Sequence, residues 1–300
     1  MASFNQAAFC VSFLILFALV KVKPQSPVLK YHNGPLLKGN ITVNIVWYGK
    51  FTPIQRSILV DFLQSLGSHT KTHTPSVSSW WQTIGWYRGG PSTLVVGNQI
   101  LDEKCSLGKK LLTTRQLVAL ASKGGGAKEA RDGVINVVLT ADDVAVEGFC
   151  SSRCGTHGSS TRSGSRNVAY AWVGNPVSQC PGQCAWPFHQ PIYGPQTPPL
   201  VAPSGDVGVD GMVISLATVL AGTVTNPLGN GYFQGPADAP LESVSACAGI
   251  FGKGAYPGYP GEVLVDKTTG ASYNAVGVNG RRFLLPAMWD PRTSTCKTLV

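Results

Sequence analysis

Charge is scarce in this chain. Charged residues make up 13% of its 300 positions, against roughly 25% in an ordinary soluble domain. The shortage falls mainly on acids: 24 Lys and Arg stand against 15 Asp and Glu, a net charge of +9. No basic run concentrates that charge, which argues against a nucleic-acid partner. Several motifs of common chemistries are also missing. No Gly-x-Ser-x-Gly marks a hydrolase elbow, and the nearest stretch, TRSGSRN at 161–167, lacks a strand-turn-helix setting. KGGGAKEA at 123–130 has glycines but no Lys-Ser/Thr pair to make a phosphate loop. There is no internal repeat, and no linker of disordered composition divides the chain.

What is present begins with an apolar run of 14 residues, AAFCVSFLILFALV at 7–20, ended by KVKPQS. Spanning a bilayer takes about 20 apolar residues. The run is therefore read as the core of a secretory signal covering 1–23, with a membrane anchor as the alternative. No other segment is expected to approach spanning length. Loss of the signal removes Lys21 and Lys23, leaving 22 − 15 = +7 on a single domain over 24–300. Cys10 lies in the signal. Cys105, Cys150, Cys154, Cys180, Cys184, Cys247 and Cys296 remain. In an oxidising compartment most of these pair. Their number is odd, so at least one is free or pairs outside the chain, and the connectivity stays open. Asn40-Ile41-Thr42 is an N-glycosylation acceptor.

Strands and helices alternate. ITVNIVWY alternates apolar and polar residues as a strand. FTPIQRSILVDFLQSLG is a helix: Thr52 caps it, Pro53 fills its first position and Gln55 completes a capping box. Ile54, Ile58, Leu59, Phe62 and Leu66 form its buried stripe, and Gly67 stops it. Further strands are expected at 92–97, 133–139 and 167–174, a helix from Thr113 to Gly124, and a long helix over 209–225 ended by Asn226-Pro227. The Gly/Ser-rich 154–165 and Pro-rich 186–205 read as loops. The tail from 261 reads as a β-hairpin or meander with turns at Thr269-Gly270 and Asn279-Gly280. The fold class is α/β, a single-domain sheet with packed helices.

Four blocks carry a family resemblance: VLKYHNGPLLKGNITVNIVWYGKFTPIQRSILVDFLQSL (28–66), VEGFCSSRCGTHGS (146–159), YAWVGNPVSQCPGQCAWPFHQP (170–191) and GVDGMVISLATVLAGTVTNPLGNGYFQG (208–235). In this order they closely resemble the plant EXORDIUM, or phosphate-induced protein, family. The resemblance implies secretion to the apoplast or cell wall. It also implies a role in brassinosteroid-promoted cell expansion and in carbon or phosphate status. It brings no catalytic residue with it.

The stretch 212–233 raises a separate question. Zincin-type proteases place His-Glu-x-x-His on one helix, so that two His bind Zn²⁺ and the Glu acts as base. TVTNPLGN resembles the stop that follows such a helix. Counting back puts Thr218, Val219 and Gly222 where the ligands and base would stand, and none of them can do that chemistry. Either this is a degenerate zincin-like scaffold without its metal, or it is an ordinary buried helix with a Pro-terminated end. His157 and His189 each follow a Cys-x3-Cys pair and are the fallback ligands. Disulfides stapling the adjacent loops are the better account of those cysteines. Asp142, Asp143, Glu147, Asp206 and Asp210 are carboxylates of the kind a glycosidase pairs, and are read as strand-end and loop groups. No cofactor is expected.

The positive charge suits an acidic wall polysaccharide such as pectin. Trp80, Trp81, Trp86 and Tyr87 are read either as a sugar-stacking set or as core. The expectation is therefore a non-catalytic, extracellular wall protein that acts by binding an acidic polysaccharide or a cell-surface receptor. An extracellular hydrolase of peptide or polysaccharide with an unidentified site is one alternative, and a signalling ligand for a receptor is the other.

Overall fold

The computed structural model describes residues 28–68, 75–125, 133–151, 153–160, 168–194 and 197–300. The signal segment, TRSGSRN at 161–167 and part of 123–130 lie outside them. Along the chain run β1 (Lys30–Tyr31), β2 (Gly39–Tyr48), α1 (Pro53–Gly67), α2 (Val77–Trp81), β3 (Ser92–Asp102), α3 (Thr114–Ala121) and β4 (Val134–Thr140). Then come β5 (Gly155–Ser160), β6 (Val168–Gly174), α4 (Pro181–Cys184), α5 (Val207–Thr225) and β7 (Tyr232–Phe233). Three short hairpins end the chain: β8 (Leu264–Val265) with β9 (Ser272–Tyr273), β10 (Ala275–Val276) with β11 (Arg282–Phe283), and β12 (Met288–Asp290) with β13 (Thr295–Lys297).

The centre is a five-stranded sheet in the order β3-β2-β4-β6-β5. The first four strands are parallel, and β5 closes one edge antiparallel to β6. The two central strands, β2 and β4, are apolar for most of their length, as strands covered on both faces must be. Ile135, Val137, Val138 and Leu139 of β4 are fully buried. The Gly/Ser-rich start of 154–165, expected as a loop, is strand at 155–160. An edge strand needs ladder partners on one side only, and its small residues let the neighbours come close. A Cβ on Gly155 would lie 2.7 Å from the Trp172 carbonyl oxygen.

Helix α1 starts as its sequence dictates. The Gln55 amide donates to Thr52 Oγ1 at 3.2 Å, and the Thr52 amide donates to Gln55 Oε1 at 3.0 Å. Ile58, Leu59, Phe62 and Leu66 are buried, but Ile54 is 71% exposed, because the first turn projects beyond the sheet. Gly67 does not stop the helix by turning left-handed. It is the last helical residue, and a Cβ there would meet the Leu94 carbonyl oxygen of β3 at 2.1 Å. Close approach of α1 to the sheet is what requires glycine.

Helix α5 begins two residues earlier than expected, capped by Asp206, whose Oδ1 accepts from the Val209 amide at 3.0 Å. At 19 residues and a mean hydropathy of 1.8 it is long and apolar enough to cross a membrane, so the expectation that no other segment reaches that length is corrected. Its apolar window is 78% buried against β5, β6, α1 and α4, as fits the core helix of a folded domain. The turn at Asn279-Gly280 is as read: both residues have positive φ (58° and 69°) between β10 and β11.

Three disulfides tie the loops. Cys150–Cys180 and Cys154–Cys184 bind the approach to β5 onto α4, and Cys247–Cys296 anchors β13. Among the described residues Cys105 is the free thiol, buried, and that burial pushes its pKa up.

Candidate functional site

A cleft of about 670 Å³ opens between the edge strand and the end of α5. β5 supplies one wall, α5 supplies Thr218 and Val219, and the turn at 226–229 and the loop from Ala237 to Ser245 supply the rest. The antiparallel edge strand thus runs beside the helix that carries the three candidate positions.

Thr218 and Val219 do line the cleft, although the Thr218 hydroxyl donates back to the Ile214 carbonyl at 2.9 Å. Gly222 does not line it: it is buried beneath the cleft's own side chains. A Cβ at 222 would lie 2.4 Å from Glu242 Oε2 and 2.8 Å from His157 Nε2. His157 reaches down from β5 and Glu242 comes from the loop after β7, and they meet over Gly222 with Nε2 and Oε2 2.8 Å apart. A carboxylate only accepts, so Nε2–H is the donor and the lone pair of a neutral ring falls on Nδ1. Nδ1 is buried and has no partner among the described residues.

The end of α5 completes the arrangement. Asn226 Nδ2 donates to Glu242 Oε1 at 2.7 Å, and Asn226 Oδ1 accepts from the Gly231 amide at 2.7 Å. The Asn226 amide itself donates to the Gly222 carbonyl at 2.7 Å, closing the last turn before Pro227. One asparagine therefore ends the helix and aims the glutamate. Both carboxylate oxygens of Glu242 are engaged, and neither ring nitrogen of His157 is offered to the cleft.

Sequence reasoning found His157, Thr218, Val219 and Gly222 but missed Glu242 and the second role of Asn226. Glu242 stands in APLESVSAC with no motif around it, 85 residues from its histidine. His189 is exposed, sets its Nδ1 2.9 Å from the Gln190 carbonyl and does not line the cleft. Among the described residues, no three His, Cys, Asp or Glu side chains converge. Asp206 is a helix cap. Asp210, in the first turn of α5, takes the Ser204 amide at 2.8 Å and hydroxyl at 2.7 Å on Oδ2, and burial raises its pKa to about 7. Asp143 pairs with Lys109, and Asp142 offers its backbone carbonyl to Ser178 and Gln179. Asp206 and Asp210 meet through Ser204 at the start of α5, and none of these four carboxylates lines the cleft.

The sugar-stacking set is corrected. Trp80, Trp81 and Tyr87 are 2–3% exposed and belong to the core. Their polar atoms are used inside it: Trp80 Nε1 donates to the Pro286 carbonyl, Trp81 Nε1 to Ser92 and the Tyr87 hydroxyl to Trp289. Large rings with a donor at one end suit this crevice between α2 and the C-terminal hairpins. Trp86 alone is half-buried. Asn40 is exposed at the start of β2.

The conserved region of phosphate-induced protein 1 matches residues 29–299, nearly all of the described chain. The chain belongs to the EXORDIUM, or phosphate-induced protein, family. EXORDIUM-like 2 of Arabidopsis thaliana is 64% identical over 301 residues, covering 96% of this chain and 97% of its own. PHOSPHATE-INDUCED 1 of Nicotiana tabacum is 60% identical, covering 97% and 94%, and EXORDIUM of Arabidopsis thaliana is 58% identical, covering 92% and 90%. No solved structure matches. Family membership and three disulfides fit an extracellular, growth-related protein.

Proposed function

We propose that this chain is a secreted protein of the plant wall space that acts in brassinosteroid-promoted cell expansion by binding, without catalysis. Its partner is an acidic wall polymer or a cell-surface receptor. The observation that carries the non-catalytic part is the closed pair over Gly222. A general base must reach its substrate's proton directly or through one water. His157 and Glu242 line the cleft, but His157 commits Nε2 to Glu242 and keeps Nδ1 buried, while each Glu242 oxygen already accepts one bond, from His157 or from Asn226. The pair stiffens the cleft wall and leaves Thr218, Val219, Ser159 and Leu228 among the side chains open to contact. Arg153 and Asp238 line the cleft as well, so a ligand there meets both charges. On this reading the signal is cleaved within the secretory path and Asn40 carries a glycan.

The test is His157→Gln, which keeps a donor of similar reach and removes the proton-shuttling ring. Plants lacking their own copy should regain their growth response to brassinosteroid with this variant as fully as with the wild type. A folded, secreted His157→Gln protein that fails to restore growth would assign the ring a chemical role and revive the hydrolase alternative.

A further inference from the structure

Trp86 and Arg88 flank the buried Tyr87. The backbone at Tyr87 is extended (φ −74°, ψ 157°), so the residues on either side project away from it, on the same side. The guanidinium carbon of Arg292 lies 3.1 Å from the Trp86 ring centroid, and Lys297 Nζ lies 4.3 Å from it. The Arg88 guanidinium stands 5.1 Å from the centroid of Tyr31. Beneath, the rings are continuous: Tyr31 stacks on Tyr232 at 5.0 Å, and Tyr232 meets Tyr87 edge-on at 4.8 Å. Arg88, Arg292, Lys297 and the neighbouring Lys30 are all exposed. The acid among them is Asp290, whose side chain is 3% exposed and bonded by Arg292 Nη2 at 3.3 Å. Among the described residues, Arg88 and Lys297 form no ion pair, although, against the pull of burial, Lys297 is near enough to Asp290 to join Arg292 in holding that carboxyl below its usual range.

A cation over an aromatic face is attracted to it and loses freedom before any ligand arrives. An Arg held this way presents its planar fork to carboxylates. We propose that the surface around Trp86 is a receptor for an acidic polysaccharide, a chain of uronic acid sugars whose carboxylates lie along the ring-mounted Arg88, Arg292 and Lys297. A uronic acid chain repeats one carboxylate per sugar, which suits several exposed cations of which only Arg292 is ion-paired, to Asp290. A neutral glycan supplies no charge to meet them. This rests on reading the chain as an extracellular binding protein, and it names both the partner's class and the surface, remote in sequence from the His157 cleft.

The experiment uses the full secreted protein and a de-esterified galacturonate oligomer, with affinity read by calorimetry at rising salt. The wild type binds the oligomer, loses affinity as salt screens the contacts, and binds the fully methyl-esterified oligomer at least about tenfold more weakly. Arg88→Ala/Lys297→Ala leaves the Arg292–Asp290 contact in place and lowers affinity by about tenfold or more. Lys104→Ala/Lys110→Ala removes the same charge elsewhere and changes affinity little. Equal losses in both variants would reduce the effect to net charge and overturn the surface assignment. Equal binding of the esterified oligomer would overturn the carboxylate chemistry. Phosphatidylserine vesicles bound as tightly, with the same loss in the Arg88/Lys297 variant, would overturn the choice of polysaccharide. None of these failures touches the non-catalytic reading, which is tested at His157.

Discussion

Asn226 and Glu242 lie 16 residues apart, and the 2.7 Å bond between them joins the last turn of α5 to the loop that roofs the cleft. The same glutamate holds His157 of the edge strand, so one carboxylate clamps three elements. Glu242→Ala should leave a buried ring donor and a buried amide without their acceptor, at a cost of about 1–3 kcal/mol. Glu242→Gln should cost less, because an amide oxygen still accepts. Urea denaturation of the two variants checks this. Equal stability of wild type and Glu242→Ala would show that the clamp is idle.

Gly222 offers a sharper test, because two effects oppose each other there. Replacing a helix-interior glycine by alanine gains up to about 1 kcal/mol in propensity. The new methyl group would collide with Glu242 Oε2 and His157 Nε2. Both tips are held by partners, and overpacking of this kind costs about 1–3 kcal/mol. Gly222→Ala alone should therefore destabilise. In a Glu242→Ala background one obstacle is gone and the other, the His157 ring, has lost the partner that holds it and can swing aside, so the same substitution should become neutral or stabilising. A double-mutant cycle reads the sign change, and a change of equal sign in both backgrounds would refute the packing account.

The two bonds Cys150–Cys180 and Cys154–Cys184 have the same separation of 30 and bridge the same two segments. Closing a loop of that length restricts the unfolded chain by roughly 3–4 kcal/mol. The second bond closes only the short remainder between the two crosslinks, so it adds less. Replacing either pair by serine should cost less than the loss that follows when the remaining pair is also replaced. Thermal melts of the three variants decide it. A first loss as large as the second would show that the two crosslinks act independently.

Local features were the most legible in the sequence. The Thr52 and Thr113 caps, the apolar β4 and the Asn279-Gly280 turn follow from residues within a few positions of one another. The cleft depends on partners far apart in the chain. Thr218, Val219 and Gly222 drew notice only by counting back from the TVTNPLGN stop after α5. Glu242 carries no local signal, since its role is set by where the chain returns after β7. Burial was the other blind spot. Trp80, Trp81 and Tyr87 have the composition of a sugar platform, and only packing against the C-terminal hairpins distinguishes that from core. The strand at 155–160 was masked by its Gly/Ser content, which lowers intrinsic strand propensity while suiting a crowded edge.

Asp210 gives the fold a pH signature. It is 3% exposed, and burial lifts its carboxyl from the ordinary 3.8 to about 7. The folded state therefore holds this proton more tightly than the unfolded chain does. At about pH 3 and below, both states are largely protonated and the site costs little. Between about pH 4 and pH 7 the unfolded chain ionises first, so stability falls as pH rises, by an amount on the order of 4 kcal/mol in all. Above that range the folded carboxylate is charged as well and the loss levels off. Asp210→Asn keeps an acceptor for Ser204 and cannot ionise. It should match the wild type at about pH 3 and exceed it at about pH 8. Urea denaturation of both proteins across this range measures the gap. A gap that stays constant with pH would mean that Asp210 is ionised in the fold throughout, held by Ser204 strongly enough to offset its burial.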